Sequence, residues 1–208
     1  MMKRWQPALI WIVYVAGLFP AVWYFWQGAM GRLGADPIRA FELILGLWAL
    51  RFLILTLGVT FIRDRFGLNL IAYRRSLGLL CFYYVAFHFT VYLALDKAFD
   101  ASAVLDDVLK RPFIMFGMAG LVMLVALAIT SNRISIKKLG TRWNTLHRLV
   151  YGTAALAILH YVLAHKVFSG EQLMYIGLII VMLLHRSFRS VMRPKRSTFQ
   201  HNGLKPNP

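Results

Sequence analysis

The chain has 208 residues, 59% of them hydrophobic, and a formal net charge of +16. Soluble domains are usually about 45–50% apolar, so the excess points to a membrane protein. The basic balance alone would admit a nucleic-acid binder, but such a domain does not carry several apolar runs of about 20 residues, and the single cysteine, Cys81, excludes a disulfide framework or a thiolate metal site within one chain.

The apolar runs are continuous rather than alternating, which predicts helices and not barrel strands. Lys3 and Arg4, followed by an apolar run from Ala8, resemble a secretion signal. The run is too long and lacks a small-x-small cleavage site, so it reads as a retained first span over 8–26. The second and third spans are predicted at 40–62 and 76–95. The longest loop, 96–111, has room for a short surface helix but not for a domain. Spans at 112–131, 143–165 and 172–188 complete six, each near the roughly 20 residues that a hydrocarbon core of about 30 Å demands. The expected fold class is therefore all-α, an integral membrane bundle of six transmembrane helices occupying 1–193. The tail, 194–208, is basic and polar with Pro194, Pro206 and Pro208, and reads as disordered or lying on anionic lipid headgroups. No internal repeat, nucleotide fingerprint or flavin–nicotinamide domain is visible.

Charge then orients the bundle. With the N-terminus inside, the inner segments hold Lys3, Arg4, Arg63, Arg65, Arg74, Arg75, Arg133, Lys137, Lys138, Arg142 and the basic residues from Arg186 onward, against one acid, Asp64. In the outer loops Arg32, Arg39, Lys97, Lys110, Arg111 and Lys166 are balanced by Asp36, Asp96, Asp100, Asp106, Asp107 and Glu171. Lys/Arg bias sets orientation, so both termini are expected in the cytoplasm. The net charge then needs no nucleic-acid partner.

Three histidines, His88, His147 and His160, sit inside the apolar stretches, and His165 and His185 fall at span ends. An ionisable side chain at depth costs a few kcal/mol or more and is a functional-site hypothesis by default. His88 lies eight residues before Asp96, about 12 Å below the outer boundary at 1.5 Å per residue. His160 lies six residues before Lys166, about 9 Å below it by the same rise. Two imidazoles at matched depth on different helices are the axial set that a haem iron takes. The alternative is two buried histidines, each bonded to a neighbour. His147 lies about 20 Å deeper than His160. The positions at that depth on span three are Arg74 and Arg75, so a regular second pair lacks its partner. His147 and His160 also fall off a common face unless the helix is locally irregular, and Gly152 offers a place for that. His147 is left among three roles: ligand of a second haem with an unusual partner, contact for a flavin or quinone, or interfacial residue. His185 is expected at the inner interface and His165 in solvent, while His201 in the tail carries no signal.

Other polar groups sit at depth. Arg51, near the middle of span two, must face a partner or a wet cavity, with a haem propionate or a quinone carbonyl as candidates. Glu42 is nine residues earlier, about 13 Å along the axis and too far for a direct pair. Arg74, Arg75 and Arg148 gather with His147 near the inner boundary, where they could hold a flavin phosphate or simply serve topology and headgroups. Trp5, Trp11, Trp23, Tyr24, Trp26, Trp143 and Tyr161 cluster near span ends as an interfacial belt would.

At these residues the chain resembles a known family. The strings GRLGADPIRAFE, RRSLGLLCFYYVAFHFTVY, KRPFIMFGMAG, LAITS and LGTRWNTLHRLVYGTAALAILHYV are similar, in that order, to the haem-binding membrane subunits of bacterial periplasmic protein-methionine-sulfoxide reductase systems. Those subunits belong to the ferric-reductase-like transmembrane family. The resemblance implies an inner-membrane electron conduit containing haem b, with FMN as a further cofactor. Its donor would be the quinol pool or a cytosolic flavin reductase. Its acceptor would be a periplasmic molybdopterin-containing catalytic subunit, in a heterodimer that repairs oxidised proteins. It also implies that His88 and His160 are the haem histidines and His147 a further motif histidine. The family's distant oxidase relatives carry an inner histidine on span three where Arg74 stands here.

The sequence reading is thus a six-helix membrane cytochrome b. His88 and His160 hold one haem in the outer half, and an inner site near His147 receives electrons. The chain itself performs no methionine chemistry. Two rivals stand beside it: a ferric or other metal reductase of the same fold, and a haem-free transporter whose histidines relay protons. Absent inverted repeats and unbroken helices count against the transporter.

Overall fold

A computed structural model describes residues 2–165 and 169–192. Every regular element among them is helical: α1 (Met2–Ala29), α2 (Pro37–Phe66), α3 (Ile71–Val91), α4 (Ala101–Lys110), α5 (Pro112–Ile129), α6 (Arg133–Leu139), α7 (Thr141–Leu146), α8 (Leu149–Ala164) and α9 (Gly170–Met192). A π-helical turn, Tyr92–Asp96, extends α3. The tail, 194–208, lies outside the described residues.

Six segments are long and apolar enough to cross a membrane: Pro7–Ala29, Pro37–Phe66, Ile71–Asp96, Pro112–Ile129, Thr141–Ala164 and Gly170–Phe188. They are the six spans that the apolar runs predict, so the chain is an all-α multi-pass membrane protein. The second is longer than expected because its ends are capped outside the apolar run. Asp36 accepts from the Arg39 N–H at 3.0 Å and Pro37 follows it. At the other end Gly67, at φ +71°, donates its N–H to the Arg63 carbonyl. Proline just inside the start and glycine just past the end is the usual asymmetry of a stable helix.

α2 is the centre of the bundle. Its most apolar window is 56% buried, against 6% for the first span. It packs along α3, with Leu45, Ala49, Phe52, Leu53 and Leu57 against Leu80, Cys81 and Tyr84. α5 and α8 form a second intimate pair, in which Gly120 lets the backbones approach at Leu156. The two hairpins face each other, and a cavity lies between them.

α1 lies outside this core and is fastened to it by Tyr84. Pro20 interrupts the hydrogen-bond ladder of α1. The fully buried Tyr84 hydroxyl donates to the Gly17 carbonyl at 2.7 Å and accepts from the Ala21 N–H at 3.1 Å. Those two groups would pair with each other in an uninterrupted helix. A tyrosine from α3 therefore serves both beside the proline, and glycine at position 17 lets α1 close on the α2–α3 pair, since a Cβ there would stand 2.5 Å from Leu80 Cδ1 and 3.2 Å from Phe52 Cζ.

α4 is the short surface helix expected in the longest loop. Asp100 caps it, accepting from Ser102 and Ala103 N–H. Asp107, on its inward face, accepts from Lys97 Nζ at 2.8 Å, Tyr92 Oη at 3.0 Å and Arg111 Nε at 3.1 Å. The π turn brings Tyr92 and Lys97 to the same carboxylate. α4 thus lies pinned across one end of the bundle, the α4 end, while α6 and α7 lie at the other.

Removing the Tyr84 hydroxyl should loosen the first span without disturbing the rest. Tyr84→Phe is expected to lose about 1 kcal/mol, in the range of interhelical hydrogen bonds in membranes, read as a lower melting temperature of the purified protein in lipid nanodiscs.

Candidate functional site

The site is built from two copies of one device. On α3, His88 donates Nδ1–H to the Glu42 carbonyl of α2 at 2.9 Å. On α8, His160 donates Nδ1–H to the Phe113 carbonyl of α5 at 2.6 Å. A carbonyl only accepts, so Nδ1 carries the proton in each neutral ring and Nε2 carries the lone pair. A helical side chain covers the turn N-terminal to its own Cα. The carbonyl of Glu42 is therefore uncovered only if residue 46 is small, and that of Phe113 only if residue 117 is small. Both are glycine. A Cβ on Gly46 would lie 3.3 Å from His88 Nδ1, and one on Gly117 only 2.8 Å from His160 Nδ1.

The structure brings His88 and His160 together, with ring centroids 6.2 Å apart and planes at 81°. Two metal–imidazole bonds of about 2 Å, with a ring half-width of about 1 Å at each end, span about 6 Å. The gap therefore fits one metal ion held between them. Neither Nε2 has a hydrogen-bond partner among the described residues. The Glu42 carboxylate stands 4.0 Å from His88 Nε2, beyond hydrogen-bond reach, and its other oxygen takes Arg39 Nη1 at 3.0 Å. Among the described residues no group of three His, Cys, Asp or Glu could hold a metal ion. Two imidazoles alone leave a metal short of ligands, so the remainder must come from a ligand that brings its own donors, as a porphyrin does. The surrounding cavity has a volume of about 670 Å³, within the range of cofactor pockets. The residues fit a haem.

The cavity is polar at one end only. Arg39, Glu42, Asp96, Lys97, Arg111 and His165 line it at or beyond the histidine level toward the α4 end. Toward the other end it is closed by Leu50, Leu53, Cys81, Leu124 and Thr153, among others, with no charged side chain. The Thr153 hydroxyl is buried there without a partner.

The other predicted site residues lie elsewhere. Arg51 does not line the cavity. Its guanidinium faces α9, bonding Tyr175 Oη at 2.8 Å and Glu171 Oε1 at 2.9 Å over the Trp48 ring. Glu42, as expected, is not its partner. His147 is also off the cavity. The irregularity between His147 and His160 falls not at Gly152 but at His147 and Arg148, where α7 ends and α8 begins. There His147 stacks on Trp143 at 3.9 Å and places Nε2 3.1 Å from Thr130 Oγ1. Trp143, expected only as a belt residue, bonds the Thr130 carbonyl. Arg74 is the charged group that bears on His147, while Arg75 and Arg148 do not line the cavity. His165 turns inward to the cavity mouth, donating to the Tyr161 carbonyl. His185 packs edge-on against Phe61. Gly46, Gly117, Arg39 and Arg111 were not among the site residues the sequence suggested. A glycine four residues after the carbonyl that a histidine needs is the signal, and it is readable only once the helices are paired.

A model of the ferric reductase like transmembrane component family matches residues 44–159. Among curated proteins, the chain is similar to the heme-binding subunit MsrQ of protein-methionine-sulfoxide reductase from Agrobacterium fabrum, with 55% identity over 94% of this chain and 91% of that protein. It is also similar to the same subunit from Brucella ovis and from Brucella suis, at 49% identity over 93% of this chain and 88% of each. No solved structure matches.

The mouth of the cavity makes a pH prediction. The Lys97 ammonium, aided by Tyr92 and Arg111, holds the Asp107 carboxyl below its ordinary 3.8. In turn Asp107, then Asp96, raise Lys97 above 10.5. A depressed carboxyl stabilises above its unfolded pKa and stops doing so as pH falls through the folded one; a raised amine does so until pH rises through its folded value. A spin label at Leu105→Cys should therefore stay ordered across neutral pH and loosen only below 3.8 or above 10.5, whereas Asp107→Asn should loosen it at neutral pH.

Proposed function

We propose an electron-transfer function for this chain, which belongs to the MsrQ family of heme-binding subunits within the ferric reductase like transmembrane proteins. It carries electrons across the bacterial inner membrane to a periplasmic catalytic subunit that reduces methionine sulfoxide in oxidised proteins. The observation that carries this reading is the His88–His160 pair, 6.2 Å apart with both Nδ1 atoms committed to carbonyls.

His88 and His160 would hold haem b by their Nε2 atoms. Bound haem supplies a one-electron ferric–ferrous couple. The Glu42 and Phe113 carbonyls fix each imidazole in the Nδ1–H tautomer, as outer partners of metal-bound histidines do. Gly46 and Gly117 keep the rings at their carbonyls. His88 and His160 would both be occupied in holding the group, and its chemistry there would be electron transfer rather than substrate binding. Apolar side chains of α2, α3, α5 and α8 line the cavity around the pair on the side away from its charged mouth.

The α4 end is taken as the periplasmic side, from the Lys/Arg bias of the opposite loops. The histidine pair then lies in the outer half, suited to delivery to a periplasmic molybdopterin-containing subunit. Electrons enter at the other end, from the quinol pool or a cytosolic flavin reductase. There His147, Arg74, Arg75 and Arg148 offer a cationic surface for a flavin phosphate such as that of FMN.

A reduced-minus-oxidised spectrum with haem quantitation tests the ligands. His88→Ala and His160→Ala are each expected to lose the b-type signal, and His147→Ala to keep most of it. A full wild-type spectrum in His88→Ala would refute the assignment. Gly117→Val probes the cradle without touching a ligand: its side chain should displace His160, so haem content is expected to fall at least 10-fold while Gly120→Ala, which meets only Leu156 Cβ at 3.8 Å, retains it.

A further inference from the structure

The cavity between the two hairpins is charged at one end and apolar at the other, and that asymmetry identifies how its occupant is oriented. Arg39 lies seven residues before Gly46 on α2, about 10 Å toward the α4 end from the level of the histidines. Arg111 lies six residues before Gly117, at the start of α5, about 9 Å in the same direction. The two arginines thus flank the mouth from opposite hairpins, one beside each histidine–carbonyl device. Both line the cavity.

Neither arginine is used up by its acidic neighbour. Arg39 spends Nη1 on Glu42 and Arg111 spends Nε on Asp107. Their other guanidinium nitrogens have no partner among the described residues. Lys97, the third cation at the mouth, is differently placed, held between Asp96 and Asp107 at 3.2 and 2.8 Å. At the opposite end, Cys81 and Thr153 each lie seven residues, two helical turns, inward of His88 and His160. That floor carries no charge to receive a carboxylate.

We propose that Arg39 and Arg111 are the carboxylate-binding residues of this site, one for each propionate of the porphyrin, and that they set its orientation with the carboxylate edge toward the α4 end. The assignment rests on the haem reading above. A porphyrin of the b type has two carboxylates on one edge and apolar substituents on the other, so a cavity with paired arginines at one end accepts it in one vertical sense. Guanidinium groups suit the task because a planar fork can bond both oxygens of a carboxylate. Reversal would bury two carboxylates against Leu53, Leu124 and Thr153, which is costly without cationic partners.

The test compares haem with haem dimethyl ester, whose propionates are blocked, so that general damage to the protein cancels. Full-length apoprotein in lipid nanodiscs is loaded with either porphyrin, and its loss to excess apomyoglobin is timed. Wild type is expected to lose the diester about 100-fold faster than haem, about 10-fold for each charge-assisted contact. In Arg39→Gln or Arg111→Gln the ratio should fall to about 10, and in the double variant to about 1, with the bis-imidazole spectrum kept. A wild type indifferent to esterification, or variants that release both porphyrins faster by the same factor, would overturn the clamp while leaving the histidine ligands intact. A wild type that takes up neither porphyrin overturns the haem reading itself and the clamp with it.

Discussion

A buried imidazole has one N–H that must be satisfied and one nitrogen that can work. In a membrane there is no water to take the N–H, so the protein must supply an acceptor. The acceptors available deep in a helical bundle are backbone carbonyls, and in a helix each of these is already engaged and lies beneath the side chain four residues on. Gly46 and Gly117 remove that cover. Through them, the carbonyls of Glu42 and Phe113 fix two rings with their lone pairs left over. The site's geometry depends on these two bonds, because an imidazole of the other tautomer or another rotation would leave no lone pair facing the gap.

The two bonds also explain the architecture around them. Each needs a pair of antiparallel helices in close contact, one bearing the glycine and the other the histidine, and α2–α3 and α5–α8 are the two most intimate pairs. The glycine-to-histidine separations are nearly equal, from Gly46 to His88 and from Gly117 to His160, so the site repeats although the sequence does not visibly do so. A repeat of this kind leaves little trace in letters. It consists of one glycine, one histidine and a carbonyl that any residue can provide, set in spans whose apolar side chains are interchangeable. α1 and α9 flank this unit, α1 being fastened by the Tyr84 hydroxyl at Pro20 and α9 by Arg51 at Tyr175 and Glu171.

What could be read from the sequence was whatever depends on local chain length and composition. Six spans follow from six apolar runs, and the matched depth of His88 and His160 follows from the rise of a helix. Side-chain partners across the bundle do not follow. Arg51 had to face something polar, but that Glu171 and Tyr175 lie at its level depends on how α9 packs on α2. Gly152 offers a place for an irregularity between His147 and His160, and the helix instead breaks at His147 and Arg148, where Trp143 and Thr130 engage the ring. Arg39 and Arg111 were accounted for as loop charges balancing acids, a correct sum that hid their place at the cavity mouth.

The placement of His147 bears on how many metal centres the bundle can build. A second bis-imidazole centre would need another ring on α3 at the depth of His147, and Arg74 and Arg75 occupy that depth. It would also need His147 to point into the space between the hairpins. The turn at His147 and Arg148 instead directs it to the end of α5, where Thr130 and Trp143 engage both its edge and its face. Among the described residues, one pair of histidines is brought to metal-bridging distance, toward the α4 end, where Arg39 and Arg111 line the cavity. On the proposed electron route, the floor formed by Leu53, Leu124 and Thr153 lies between the α6 end and that pair. The Thr153 hydroxyl, buried there without a partner, is a polar group within that floor.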